Sequence, residues 1–145
     1  MTCVFFGHRD TPGDISPKLK EAIINLIEEK KVTEFYVGNH GSFDRMVRRT
    51  LKELKQEYPE INYSVVLAYL PGKKDPDKDY SDTEFPEGIE KVPRKFAINY
   101  RNDYMLKKAD YVIAYVKDSF GGAGKCVDKA RRRKVAVINL AETAE

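Results

Sequence analysis

Apolar residues fall along this chain in two alternating rhythms. Short runs rich in Val, Ile, Phe and Tyr alternate with stretches whose apolar positions recur at i, i+3, i+4 and i+7, the signatures of buried strands and of one-sided helices. Cys3-Val4-Phe5-Phe6 reads as the first strand. Leu19, Ala22, Ile23, Leu26 and Ile27 predict the first helix, with Ser16 as its N-cap and Pro17 at its first position. Residues 33–37 predict a second strand, and Phe43, Met46, Val47, Leu51 and Leu54 line a second helix that Ser42 would cap and Pro59 would follow. A third strand is expected over 63–68, a third helix over about 95–109 and a fourth strand over 111–116. A short helix to about Arg132 and a fifth strand over 135–140 complete the pattern. Such alternation predicts an α/β, Rossmann-like three-layer domain of about five parallel strands with helices on both faces. A length of 145 residues suits one domain with its own core.

Two segments break the rhythm. Residues 69–94 hold Pro71, Pro76, Pro86 and Pro93, two glycines and charges of both signs. A loop this long is usually functional or unstructured, so it reads either as a ligand lid or oligomer arm anchored by Tyr80 and Phe85, or as a mobile insertion. In the third helix, Ile98, Met105, Leu106 and Ala109 mark an inward stripe, yet Arg101 and Asn102 occupy the two places between them. Inward-facing polar side chains are costly without partners. Arg101 and Asn102 therefore belong either to a structural polar cluster or to a ligand site.

Three of the strands open into glycine-containing turns. These are Gly7-His8-Arg9-Asp10, then Gly38-Asn39-His40-Gly41-Ser42-Phe43-Asp44, then Phe120-Gly121-Gly122-Ala123-Gly124-Lys125. Parallel strands would bring all three turns to one sheet edge, where helix N-termini offer free N–H groups to anions. Arg9 could clamp a phosphate there, and Asp128, one turn beyond Gly124, could accept from a ribose or act as an acid or base.

Charge and cysteine usage narrow the classes. Lys and Arg number 26 against 23 Asp and Glu, a formal charge of +3. That balance argues against a nucleic-acid protein, and the Arg131-Arg132-Arg133-Lys134 run reads as a solvated helix C-terminus. The two cysteines, Cys3 and Cys126, fit a reducing compartment. Cys126 is either a small core filler or a thiol acidified by its helix N-terminus. With no membrane-length apolar stretch and no charged leader, a cytoplasmic location without membrane contact is expected.

Several familiar chemistries do not fit. A Walker A loop needs a glycine where Ser119 stands and Ser or Thr where Cys126 stands, and the dinucleotide fingerprint needs a glycine at Val127. His8 and His40 fall on neighbouring turns, but no Cys/His pair has metal-ligand spacing, so neither metal nor cofactor is expected. No Ser lies in a Gly-x-Ser-x-Gly elbow.

Taken together, Phe6-Gly7-His8-Arg9, Gly38-x-x-Gly41-Ser42-Phe43-Asp44, Arg101-Asn102-x-x-Met105 with Ala109-Asp110, and Gly121-Gly122-Ala123-Gly124 resemble the SLOG superfamily. That Rossmann-like group includes the Lonely Guy phosphoribohydrolases and the DprA core, and the likeness is strongest to small bacterial YpsA-like proteins. The resemblance implies a pocket for a nucleotide or nucleotide-derived molecule, in a sensor or sequestering protein that commonly dimerises. Its ligand would be held by Gly7, His8, Arg9, Gly38, Asn39, Gly41, Asp44, Arg101, Asn102, Gly121, Gly122, Ala123, Gly124 and Lys125. The alternative it implies is a nucleoside 5′-monophosphate phosphoribohydrolase, with Arg101 and Asp128 as catalytic residues. Asp128 stands where that branch has a glutamate, and Phe120 and Lys125 replace the proline and threonine of its P-G-G-x-G-T turn. Single-stranded DNA binding, by likeness to the DprA core, is the third and weakest alternative.

Overall fold

A computed structural model describes residues 1–69, 82–117 and 121–141. Six strands form one parallel sheet: β1 (Thr2–Gly7), β2 (Glu34–Val37), β3 (Asn62–Val66), β4 (Thr83–Glu84), β5 (Tyr111–Tyr115) and β6 (Ala136–Asn139), in the spatial order β4-β3-β2-β1-β5-β6. Four α-helices cover it: α1 (Ser16–Lys30), α2 (Gly41–Glu57), α3 (Ala97–Lys108) and α4 (Gly122–Arg132). This is the three-layer Rossmann-like arrangement expected, with one strand more.

Period-two alternation assigns β1 to both layers at once. Cys3 and Phe5 join Leu19, Ile23, Phe43 and Leu51 of α1 and α2 in one core. Val4 and Phe6 join Met105, Leu106, Val127 and Ala130 of α3 and α4 in the other. All four side chains are buried, and a strand covered on both faces reads in sequence as a continuous apolar run.

β1 is flanked by β2, in register Val4↔Tyr36, and by β5, in register Val4↔Val112. The chain winds outward from β1 to β4 and then returns through α3 to β5 on the other side of β1. The β1/β5 boundary is therefore the topological switch point, where open α/β sheets leave a crevice beyond the strands' C-terminal ends.

Three local expectations are corrected. Ser16 does not cap α1: a 3-10 turn, Gly13–Ile15, runs straight into the helix, and Ser16 already has helical φ/ψ. Nor does Ser42 cap α2. His40 precedes that helix, and the Ser42 hydroxyl is engaged with the loop after β1. The additional strand, β4, lies within the segment read as irregular and extends the sheet past β3 through Val65↔Thr83 and Val66↔Glu84. Tyr104 of α3 donates its hydroxyl to Glu84 at 2.5 Å, while the Lys108 ammonium covers the Tyr104 ring at 4.7 Å. Tyr80 of the long loop and Phe120 of the third turn lie outside the described residues. Among the described residues no helix is long and apolar enough to cross a membrane.

Candidate functional site

The second turn motif is intelligible residue by residue from what it packs against. Phe43 lies against Gly7, where an added Cβ would come within 2.2 Å of its ring. Gly41, at φ +86°, passes the Arg9 backbone so closely that a Cβ would fall 2.6 Å from Arg9 Cα. Only glycine meets both conditions at that position. The Ser42 hydroxyl donates to the Arg9 carbonyl at 2.6 Å and accepts the Thr11 N–H at 2.7 Å, and the Ser42 N–H also reaches the Arg9 carbonyl at 2.8 Å. The Asp44 carboxylate turns back to accept the His40 N–H at 2.9 Å. The motif thus fastens the loop carrying His8 and Arg9 onto the N-terminus of α2.

At the switch point lies a cleft of about 350 Å³, within the size range of small-molecule sites. The expected residues lining it are Gly7, His8, Arg9, Gly38, Asp44, Arg101, Asn102, Gly121, Gly122 and Ala123. Phe5, Phe6, His40, Ile98 and Asn99 complete the wall. Of these five, His40 and Asn99 are the polar groups that sequence reasoning did not assign to the site. Ile98 was legible, because it shares a helix face with Arg101 and Asn102. The sequence signal at His40 points only to metal ligation, and among the described residues no cluster of three or more His, Cys, Asp or Glu could hold a metal ion.

The other expected residues fall elsewhere. Asn39 is exposed and Gly124 is buried within α4. Gly41 supports the loop without lining the cleft. Lys125 and Asp128 lie on the outer face of α4, beside a separate surface depression with Arg131 and Arg132. The helical phase explains this, since Gly124, Val127 and Ala130 are the buried positions of α4.

Arg101 is the centre of the cleft. It is only 3% exposed. Nε donates to Asn102 Oδ1 at 2.9 Å and Nη1 to the Val66 carbonyl at 3.2 Å, with His40 Nδ1 3.4 Å from Nη1. These partners are neutral, and Nη2 has no hydrogen-bond partner among the described residues. Gly38 makes room for the guanidinium: a Cβ there would stand 2.6 Å from Arg101 Nη1 and 2.9 Å from Asp44 Oδ2.

The charges respond to burial. Burial pushes the Asp44 carboxyl up to about 6, against the opposing pull of the His40 N–H, Arg101 and Arg48. Burial, then Arg101 and Arg9, lowers His40 and so favours its neutral ring. Burial likewise lowers Arg101, countered by Asp44, although a guanidinium remains charged. His8 accepts the Lys117 N–H on Nε2 at 2.9 Å, so its neutral ring carries the proton on Nδ1. Cys126 is not acidified: burial pushes its thiol up to about 11.

Fold and cleft together define a Rossmann-like α/β domain with a cationic, glycine-lined site at its switch point. No known protein-family model matches the sequence, and no curated protein does.

Proposed function

We propose that the protein binds a nucleotide or nucleotide-derived small molecule in the switch-point cleft, as a sensor or sequestering protein of SLOG type. The observation that carries the reading is the convergence of three chain-distant glycine turns on Arg101, a buried cation whose Nη2 has no partner among the described residues. The N-terminus of α4, open at Gly121 and Gly122, adds N–H groups suited to a phosphate. Arg9 supplies a second cation at the rim, and Ile98 with Phe6 an apolar wall. The hydrolase alternative has less support, because Asp128 is exposed beside a different depression.

Mass spectrometry of a nucleotide panel incubated with the protein, scoring both retained ligand and released base, tests the reading. Retention of an intact nucleotide by the wild type, lost in Arg101→Ala but kept in Asp128→Asn, is the expected result. Release of free base that stops in Asp128→Asn would restore the phosphoribohydrolase reading. A blank panel would overturn nucleotide binding.

A further inference from the structure

We propose that the cleft takes up a phosphate monoester together with one proton shared between the ligand and Asp44, and so prefers a terminal phosphate to sulfate or a phosphodiester. The inference rests on the cleft being a phosphate site. Asp44 is the one carboxylate among the described residues lining a cleft otherwise supplied with arginines and helix N–H groups. It is 7% exposed and cannot turn away into solvent. A fixed carboxylate beside a bound anion is repulsive unless a proton lies between them.

The geometry leaves a place for that proton. Oδ2 is occupied by the His40 N–H at 2.9 Å, and Oδ1 has no hydrogen-bond partner among the described residues. Asp44 Oδ2 and Arg101 Nη1 both abut Gly38, and both residues line the cleft, so an anion held there by Arg101 is placed beside Asp44. The charged and titratable groups around Asp44 are His40 just before α2, Arg48 one turn along it, Arg101 from α3, and His8 with Arg9 from the loop after β1. Burial and the neighbouring arginines disfavour the charged form of His40, His8 Nε2 is engaged as acceptor of the Lys117 N–H, and the arginines keep their charge across the accessible pH range. Asp44 is then the group that changes charge.

Proton balance separates the anions. A phosphate monoanion brings its own O–H and donates it to the Asp44 carboxylate. A dianion brings no proton and accepts one only from an Asp44 that is already protonated. Sulfate and phosphodiesters bring none near neutrality, so Asp44 must first take a proton from solvent, at a cost approaching tenfold in affinity per pH unit above its pKa. The discrimination therefore grows with pH above the Asp44 value of about 6 for as long as the phosphate keeps a monoanion population, and levels off once the dianion prevails.

Titration of ¹⁵N-labelled protein with inorganic phosphate and with sulfate, read at the Gly38, Gly121 and Gly122 amides, tests this. Affinities within about threefold of one another are expected near pH 5.5, and a phosphate preference of at least about tenfold near pH 8. Asp44→Asn, which retains an acceptor for the His40 N–H, should make sulfate binding independent of pH and remove the preference. A wild-type phosphate-to-sulfate ratio that does not change with pH overturns the inference while leaving the phosphate site intact. Absence of binding by either anion also overturns it, and a blank nucleotide panel alongside would remove the phosphate-site reading as well.

Discussion

Replacing Gly38 with alanine separates the site from the fold by a single methyl group. Gly38 is not in the left-handed region, so the backbone tolerates the change and the added Cβ acts only on its neighbours. Those neighbours are Arg101 Nη1 at 2.6 Å, Arg101 Cζ at 2.7 Å and Asp44 Oδ2 at 2.9 Å. To restore ordinary contact at 3.4 Å the guanidinium must retreat by roughly 0.8 Å. Its bonds to Asn102 and the Val66 carbonyl oppose that movement. Misplacing an anchor by about 1 Å costs on the order of a hundredfold, and losing a charge-assisted hydrogen bond costs about 1.5–3 kcal/mol. Both arguments predict a Kd for the retained nucleotide about 10–100-fold weaker in Gly38→Ala. Overpacking of this kind costs about 1–3 kcal/mol of stability, offset by about 0.4–1 kcal/mol from the stiffer unfolded chain. The net loss of about 1–2 kcal/mol leaves the domain folded. Isothermal titration with the nucleotide identified from the panel, beside urea denaturation, measures both quantities. A folded variant that binds within about threefold of wild type would refute the role of Arg101 as the ligand's anchor.

Gly7→Ala should behave in the opposite way. Its Cβ meets the Phe43 ring at 2.2 Å, and Phe43 is fully buried, so a loss of about 3 kcal/mol or more is expected as a lowered urea midpoint or as insolubility. Ser42→Ala removes the hydroxyl that joins the Arg9 carbonyl to the Thr11 N–H. It should cost about 1–2 kcal/mol and weaken nucleotide affinity several-fold, because the loop bearing Arg9 loosens. The pH dependence of stability supplies a further prediction from Asp44, whose pKa is raised from 3.8 to about 6 on folding. Between those values the folded state binds more protons than the unfolded one, so this contribution to stability falls as pH rises from about 4 to 6 and is lost above. Asp44→Asn should therefore be more stable than wild type near pH 8, by up to about 3 kcal/mol, with the advantage gone near pH 4. Urea denaturation of both proteins across that range checks it, and equal curves at pH 8 would show that the carboxylate is not strained in the fold.

The layers and the helix faces were determined by the sequence alone, because burial on two faces and packing on one leave different periodicities. Cys3 to Phe6 is apolar throughout since both of its faces are covered. The α1 and α2 stripes are 3.6-periodic since each helix has one inward side. The break in that period at Arg101 and Asn102 was equally legible, and these two residues do line the cleft. Tertiary structure decided the rest, where the deciding partner is distant in sequence. β4 is two residues long, below any periodic signal, and its pairing with β3 is assisted by Tyr104 from α3. Ser42 looked like a local cap, but its partners lie 33 and 31 residues earlier. Asp128 follows the third glycine turn closely, yet the packing of Val127 and Ala130 turns it outward. Asp44 looked like an ordinary acid in the first turn of a helix. Only its burial beside Gly38 and Arg101, contributed by chain segments far apart in sequence, makes its proton a property of the site.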